Sequence, residues 1–205
     1  MPVITSIKPQ KAKNRVNVYV DGKFGFGLDL ENFVKLGLKV EQQLSEEEIE
    51  EIVRKAEFQK TLDKLLRFAM TRPRSEKEVN DWFYRKKVPD SIQEELFKRL
   101  VRLELVDDEK FAKWWVEQRQ AFRPKPKRIL NNELRIKGID REVINRVLNE
   151  TTVDEIGVAK KELEKRMYKW KEMDKFTRKR KMGEFLARKG FNWDIIKRVV
   201  TIEDE

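Results

Sequence analysis

The sequence predicts a mostly α-helical protein. It reads as three tandem three-helix repeats stacked as an elongated, curved array, behind a small N-terminal β-hairpin or sheet segment. Three observations predict this. Charged residues make up 41% of the 205 residues and hydrophobic residues 39%, with only 8 Gly and 6 Pro, a composition of long solvated helices. Strand alternation appears early, in Val16-Asn17-Val18-Tyr19-Val20, and Asp21-Gly22 then supplies a hairpin turn before Phe24-Gly25-Phe26. Further on, the chain repeats itself.

The repeat is read residue by residue. Leu134/Leu186, Lys137/Lys189, Gly138/Gly190, Ile144/Ile196, Arg146/Arg198 and Val147/Val199 match at a constant offset of 52. A fainter copy lies 51 residues upstream, with Val79, Phe83, Val88, Ile92 and Leu96 opposite Leu130, Leu134, Ile139, Val143 and Val147. Short helices of this kind hold little apolar area alone, so copies must bury their faces against one another. The expected boundaries are 1–56 for the β-edged start and its helix, then repeats at 57–106, 107–150 and 151–205.

Each element has a local reason. Val3, Ile4 and Ile7 add a third strand to the hairpin. Asp29 caps a short helix carrying Phe33, Val34 and Leu36, which Gly37 stops. Ser45 and Glu48 form a capping box opening a helix whose apolar stripe runs from Ile49 to Ala69, as one helix or as two broken near Ala56. Thr71-Arg72-Pro73 ends it. In the middle repeat, Asp107 or Asp108 caps a helix with Phe111, Ala112, Trp115 and Val116 inward. A Pro-broken basic turn then leads to Leu130 and Leu134, Gly138 provides a left-handed helix end, and Asp140 starts the third helix. The first helix of the last repeat is expected over 154–176, through Leu163, Met167 and Trp170.

Several function classes are excluded or weakened. The chain has no Cys and no His, which removes sulfur ligands, the commonest transition-metal ligand and the commonest general base. No phosphate loop, activated nucleophile or poised carboxylate pair stands out, so no cofactor, no metal site and no enzymatic activity are expected. Asp107-Asp108-Glu109 is a tight acid cluster, but acids belong at a helix start, and capping is the better reading. The first residues lack the pattern of a signal peptide, and no run suits a membrane span; a soluble, cytoplasmic monomer is expected.

The net charge is +10, and its placement is informative. Residues 1–56 hold nine basic and nine acidic side chains, whereas 57–106 hold twelve against nine, 107–150 eleven against eight, and 151–205 fifteen against eleven. All excess positive charge follows the first quarter of the chain, which suits a polyanion or a partner loaded with one better than it suits solubility alone. The charge recurs at one structural place, the loop leading into the second helix of each repeat. It is Arg72 and Arg74 in the first copy, Arg123, Lys125, Lys127 and Arg128 in the second, and Arg178, Lys179, Arg180 and Lys181 in the third. Tyr168, Trp170 and Phe176 lie among the basic residues of 160–181, where core packing is a better reading than base stacking. Trp114 and Trp115 face different directions on a helix, one core and the other a contact candidate.

Certain local signatures resemble the RecX family of recombination regulators. They are Arg72-Pro73-Arg74-Ser75-Glu76-Lys77-Glu78-Val79, the run from Val106-Asp107-Asp108-Glu109 to Trp114-Trp115-Val116, and Arg119…Arg123-Pro124-Lys125…Leu130…Glu133-Leu134…Lys137-Gly138-Ile139. Val18-Tyr19-Val20-Asp21-Gly22 resembles the N-terminal extension that some members carry. Two positions depart from the pattern: Glu104 stands where members usually have Gly, and Pro126 where they often do. At a left-handed helix end Glu should cost about 1 kcal/mol relative to Gly. The resemblance implies a protein that binds the RecA recombinase filament on single-stranded DNA. It would limit filament growth, ATP hydrolysis and strand exchange, in recombination, DNA repair and the SOS response. The alternatives are a sequence-tolerant DNA-binding protein acting without RecA, and a structural adaptor whose charge serves solubility alone.

Overall fold

The computed structural model describes residues 1–10 and 14–202. The chain falls into two compact units, one of Met1–Thr71 with Val88–Arg99, the other of Arg72–Lys87 with the chain from Leu100 onward.

In the first unit, strands β1 (Ile4–Pro9), β2 (Arg15–Val20) and β3 (Lys23–Asp29) form an antiparallel sheet in that order. The expected turn joins β2 to β3, with Asp21 and Gly22 both at positive φ, and Val18 pairs with Phe26. Asp29 accepts the Asn32 backbone N–H at the start of α1 (Leu30–Leu36), and Gly37 closes it at φ 58°. Helix α2 (Glu46–Ala69) opens on the Ser45–Glu48 capping box and runs unbroken past Ala56 for 24 residues, which settles the open question of one helix or two. Ile4, Val18 and Leu28 from the sheet pack with Leu44, Ile52 and Ala56 as one core. The first part of α4 (Asp90–Arg102) lies in this unit, where Arg54 of α2 approaches Glu95 at 3.7 Å.

The second unit contains α3 (Glu76–Lys86), α5 (Asp108–Phe122), α6 (Lys127–Ile136), α7 (Arg141–Glu150), α8 (Glu155–Glu164), α9 (Lys175–Arg188) and α10 (Trp193–Ile202). Helices α5–α7 enclose Phe111, Val116, Leu130, Leu134, Ile144 and Val147. Helices α8–α10 enclose Leu163, Met182, Leu186, Ile196 and Val199, at matching places in the repeat, together with Phe185. The spacing at 154–176 does not give one helix. Helix α8 stops at Glu164, and a 3-10 turn over Met167–Lys169 swings Trp170 into the core, edge-on to Phe185 at 5.7 Å. Burying that indole outweighs continuing the helix.

Successive helix triplets join in one recurring way. The glycine that follows the second helix of one triplet is pressed onto the first turn of the second helix of the triplet before it. Gly138 (φ 82°) follows α6, and a Cβ there would stand 2.6 Å from the Cβ of Lys77 on α3. Gly190 (φ 89°) follows α9, and a Cβ there would stand 2.6 Å from Cδ1 of Ile129 on α6. The first joint is bonded as well. The fully buried Ser75 hydroxyl donates to the Lys137 carbonyl at 2.9 Å, and Asp108 accepts the Glu76 backbone N–H at 2.9 Å. At the corresponding place after α3 stands Lys87, in the same left-handed conformation (φ 51°) but exposed. With no close approach to satisfy, a side chain is tolerated there at a conformational cost. Lys87→Gly should therefore raise stability by about 0.5–1 kcal/mol, read as a higher midpoint in chemical denaturation. Glu104 is left-handed too, at φ 55°, as expected for its position, and it accepts from Lys110 Nζ at 2.8 Å.

Candidate binding surface

The basic segments singled out in the sequence are treated very differently by the fold. In the first, Arg72 binds Glu78 with two nitrogens, at 2.8 and 3.0 Å, and its guanidinium lies over the rings of Phe111 and Trp114 at 5.9 and 5.3 Å. The Arg74 side chain is only 11% exposed and stands 3.8 Å from the same carboxylate; burial lowers its pKa. Lys137 reaches Glu78 from α6 at 2.6 Å. Burial pushes the Glu78 carboxyl up, but the hydrogen bonds from Arg72 and Lys137 outweigh it and hold the group below its ordinary range. Arg72 and Arg74 are thus consumed at Glu78 on α3, Arg72 also covering rings of α5, and Lys137 carries the tie from that carboxylate to the end of α6.

In the second segment, Lys127 is also internal. Its Nζ donates to the Leu148 carbonyl at 2.6 Å and its backbone N–H to Glu155 at 3.1 Å. The neighbouring cations are not tied down. Arg123 and Arg128 are exposed and Lys125 is half-buried, and none makes an ion pair among the described residues. The contrast has a sequence cause. Arg72-Pro73 and Arg123-Pro124 are the same dipeptide, but the acid six residues on, Glu78, is replaced by Ile129 in the second copy. Arg135, which the sequence reading passed over, lies two turns beyond Arg128 on the same outer face of α6, exposed and likewise without an ion pair. The seven-residue spacing was its signal.

The third segment is not a loop. Residues 178–181 lie inside α9, because Asp174 accepts the Thr177 N–H and starts the helix a full turn earlier, and a run of Lys and Arg has no reason to break it. Arg180 and Lys181 flank Glu184 at 3.9 and 3.6 Å, and Arg178 and Lys179 are engaged as well. Trp170 is core, whereas Tyr168 and Phe176 are exposed.

Trp114 and Trp115 do not divide into one core and one contact residue; both are half-buried and both pack on Phe111. The Trp115 indole N–H donates to Glu133 at 2.8 Å. Arg119 donates to the same oxygen at 2.7 Å and lies 4.4 Å above the Trp115 ring. With Gln118, Phe122 and Arg123, these side chains line an open groove along α5. The acids at the start of α5 all have structural partners. Asp107 accepts the Lys110 N–H, Asp108 that of Glu76, and Glu109 binds Lys113 and Arg146. Among the described residues no group of three acids could hold a metal ion, and no helix is long and apolar enough to cross a membrane.

Comparison with protein-family models matches residues 2–45 to the regulatory protein RecX N-terminal domain, 107–148 to the second three-helix domain of RecX and 154–200 to the third. The chain belongs to the RecX family. Regulatory protein RecX of Bacillus licheniformis is 35% identical over 198 residues, which cover 96% of this chain and 75% of that one. RecX of Clostridium perfringens is 33% identical over 204 residues, covering 98% and 95%. A crystal structure of regulatory protein RecX matches over the whole of both chains with a TM-score of 0.74 and 25% identity. The RecX of Lactobacillus salivarius shares the fold over 72% of this chain, with a TM-score of 0.65 and 22% identity. Family membership makes this chain a regulatory protein with the RecX helical-repeat architecture.

Proposed function

We propose that this RecX-family chain binds RecA filaments on single-stranded DNA and restrains them, limiting filament extension, ATP hydrolysis and strand exchange. It acts without catalysis of its own, as a cytoplasmic monomer, in recombination and DNA repair. The observation that carries this reading is the set of exposed guanidinium groups on the second triplet, Arg123, Arg128 and Arg135, which no carboxylate neutralises among the described residues. At the other basic positions near the helix joints, Arg72, Arg74, Lys127 and Lys137 are consumed inside the fold. Here the fold leaves cations facing outward, where phosphates or an acidic protein surface gain by pairing with them. A filament presents the same surface many times, so several weak contacts from a multi-repeat protein add as avidity.

The test is single-stranded-DNA-dependent ATP hydrolysis by RecA, titrated with this protein. Inhibition is expected well below one protein per RecA subunit, weakening as salt rises. Arg128→Glu with Arg135→Glu should raise the half-inhibitory concentration by roughly tenfold or more, as removal of rim charge slows association. Hydrolysis unchanged by the wild-type protein at equimolar concentration would sink the reading. Tight binding to bare DNA in that case would favour a DNA-binding protein acting alone.

A further inference from the structure

The groove along α5 has a chemistry of its own. Its lining is Trp114, Trp115, Gln118, Arg119, Phe122 and Arg123, and it contains no carboxylate. Trp115 and Arg119 are committed to Glu133 beneath them. The others are unsatisfied: among the described residues nothing accepts the Trp114 indole N–H, and nothing pairs with the Gln118 amide or the Arg123 guanidinium. Phe122 is 77% exposed, although it is a large aromatic at the end of a helix whose inner face is full. The groove thus offers an open ring, two neutral donors and a free cation within about two and a half helical turns, or roughly 14 Å.

We infer that this groove is a binding site for single-stranded DNA, holding one or two unpaired bases. A base has two flat apolar faces, an edge rich in acceptors, and a phosphate beside it. Phe122 supplies a face to stack on, the Trp114 N–H and the Gln118 amide bond the edge, and Arg123 meets the phosphate. Duplex DNA presents phosphates but keeps its bases stacked inward, so only the single strand uses the ring. The site rests on the filament reading and deepens it, because it gives the DNA of the filament a contact separate from the Arg128–Arg135 face of α6.

The test uses the full-length protein with a fluorescently labelled oligothymidylate and, separately, a labelled duplex, at low salt and without RecA. Phe122→Ala removes a ring that packs no core, and Gln118→Glu places a carboxylate in the groove. Phe24→Ala, equally a loss of an exposed ring but on the sheet, is the control. Each groove variant should weaken oligothymidylate binding at least about fivefold, with duplex binding within about twofold and the control unchanged. Absence of oligothymidylate binding by the wild type, unchanged binding by the variants, or equal loss on strand and duplex would overturn the site. So would variants that lose RecA inhibition while binding oligothymidylate normally, since the groove would then take a protein segment. Failure to inhibit RecA, with Phe122-dependent strand binding intact, would reject the filament reading and leave the site standing.

Discussion

Gly138→Ala is expected to lower stability by roughly 2–4 kcal/mol, combining a left-handed conformation forced on an L residue with a core-like overpacking. The added methyl would stand 2.6 Å from the Lys77 Cβ and 2.9 Å from its Cδ. The nearer atom is rooted in the backbone of α3, so no rotamer change relieves the clash and the two helices must move apart. That movement would also stretch the Ser75–Lys137 bond at the same joint. Urea denaturation of the wild type and the variant measures the loss. Gly190→Ala should show a smaller effect of the same sign, because it meets the outer atoms of Ile129, which can turn away. If Gly138→Ala cost no more than the conformational penalty alone, about 1 kcal/mol, the joint would not be packed as described.

Glu78→Ala should be comparably severe, at about 3 kcal/mol. This is the lower end for breaking a buried ion pair, since the Glu78 side chain remains 12% exposed. The substitution leaves Arg72, Arg74 and Lys137 converging on one place without their shared anion, and repulsion adds to the lost bonds. The pH dependence identifies the cause. The folded carboxyl titrates below its ordinary value of 4.5, so its contribution is fully present above that pH and fades as the pH falls through the depressed folded value. Wild type and Glu78→Ala should therefore differ most near neutrality and converge in acid. Parallel curves across the whole range would mean that the loss comes from packing.

Most local structure was legible because its causes are local. Asp21-Gly22, the Ser45–Glu48 box and the caps at Asp29, Asp107 and Asp140 each act within a few residues, and each is found in the structure. The matched pairs at offsets of 51 and 52 include interior positions: Phe83, Leu134 and Leu186 are all buried in corresponding helices. Two kinds of feature were out of reach. Leu163–Met167–Trp170 carries helical spacing, and only the position of Phe185 shows that the indole is better served by a turn. Charge was the other. A sequence shows that Arg72 and Arg123 are arginines after a helix; it does not show which one meets an acid, unless the sixth residue onward is weighed as a partner. Gly138 and Gly190 lie between these cases. The need for a left-handed helix end was visible in sequence, whereas the close approach of a neighbouring helix was not.

The joint described for Gly138 and Gly190 also gives the series a direction that can be read from a single position. A residue with a side chain there, such as Lys87, identifies the copy with no equivalent seat ahead of it, and glycine identifies every copy that sits on a predecessor. A duplication that placed another triplet upstream would be accommodated only after Lys87 gave way to glycine. Deletion of the middle triplet would leave the last one seeking its seat at Lys77 rather than Ile129.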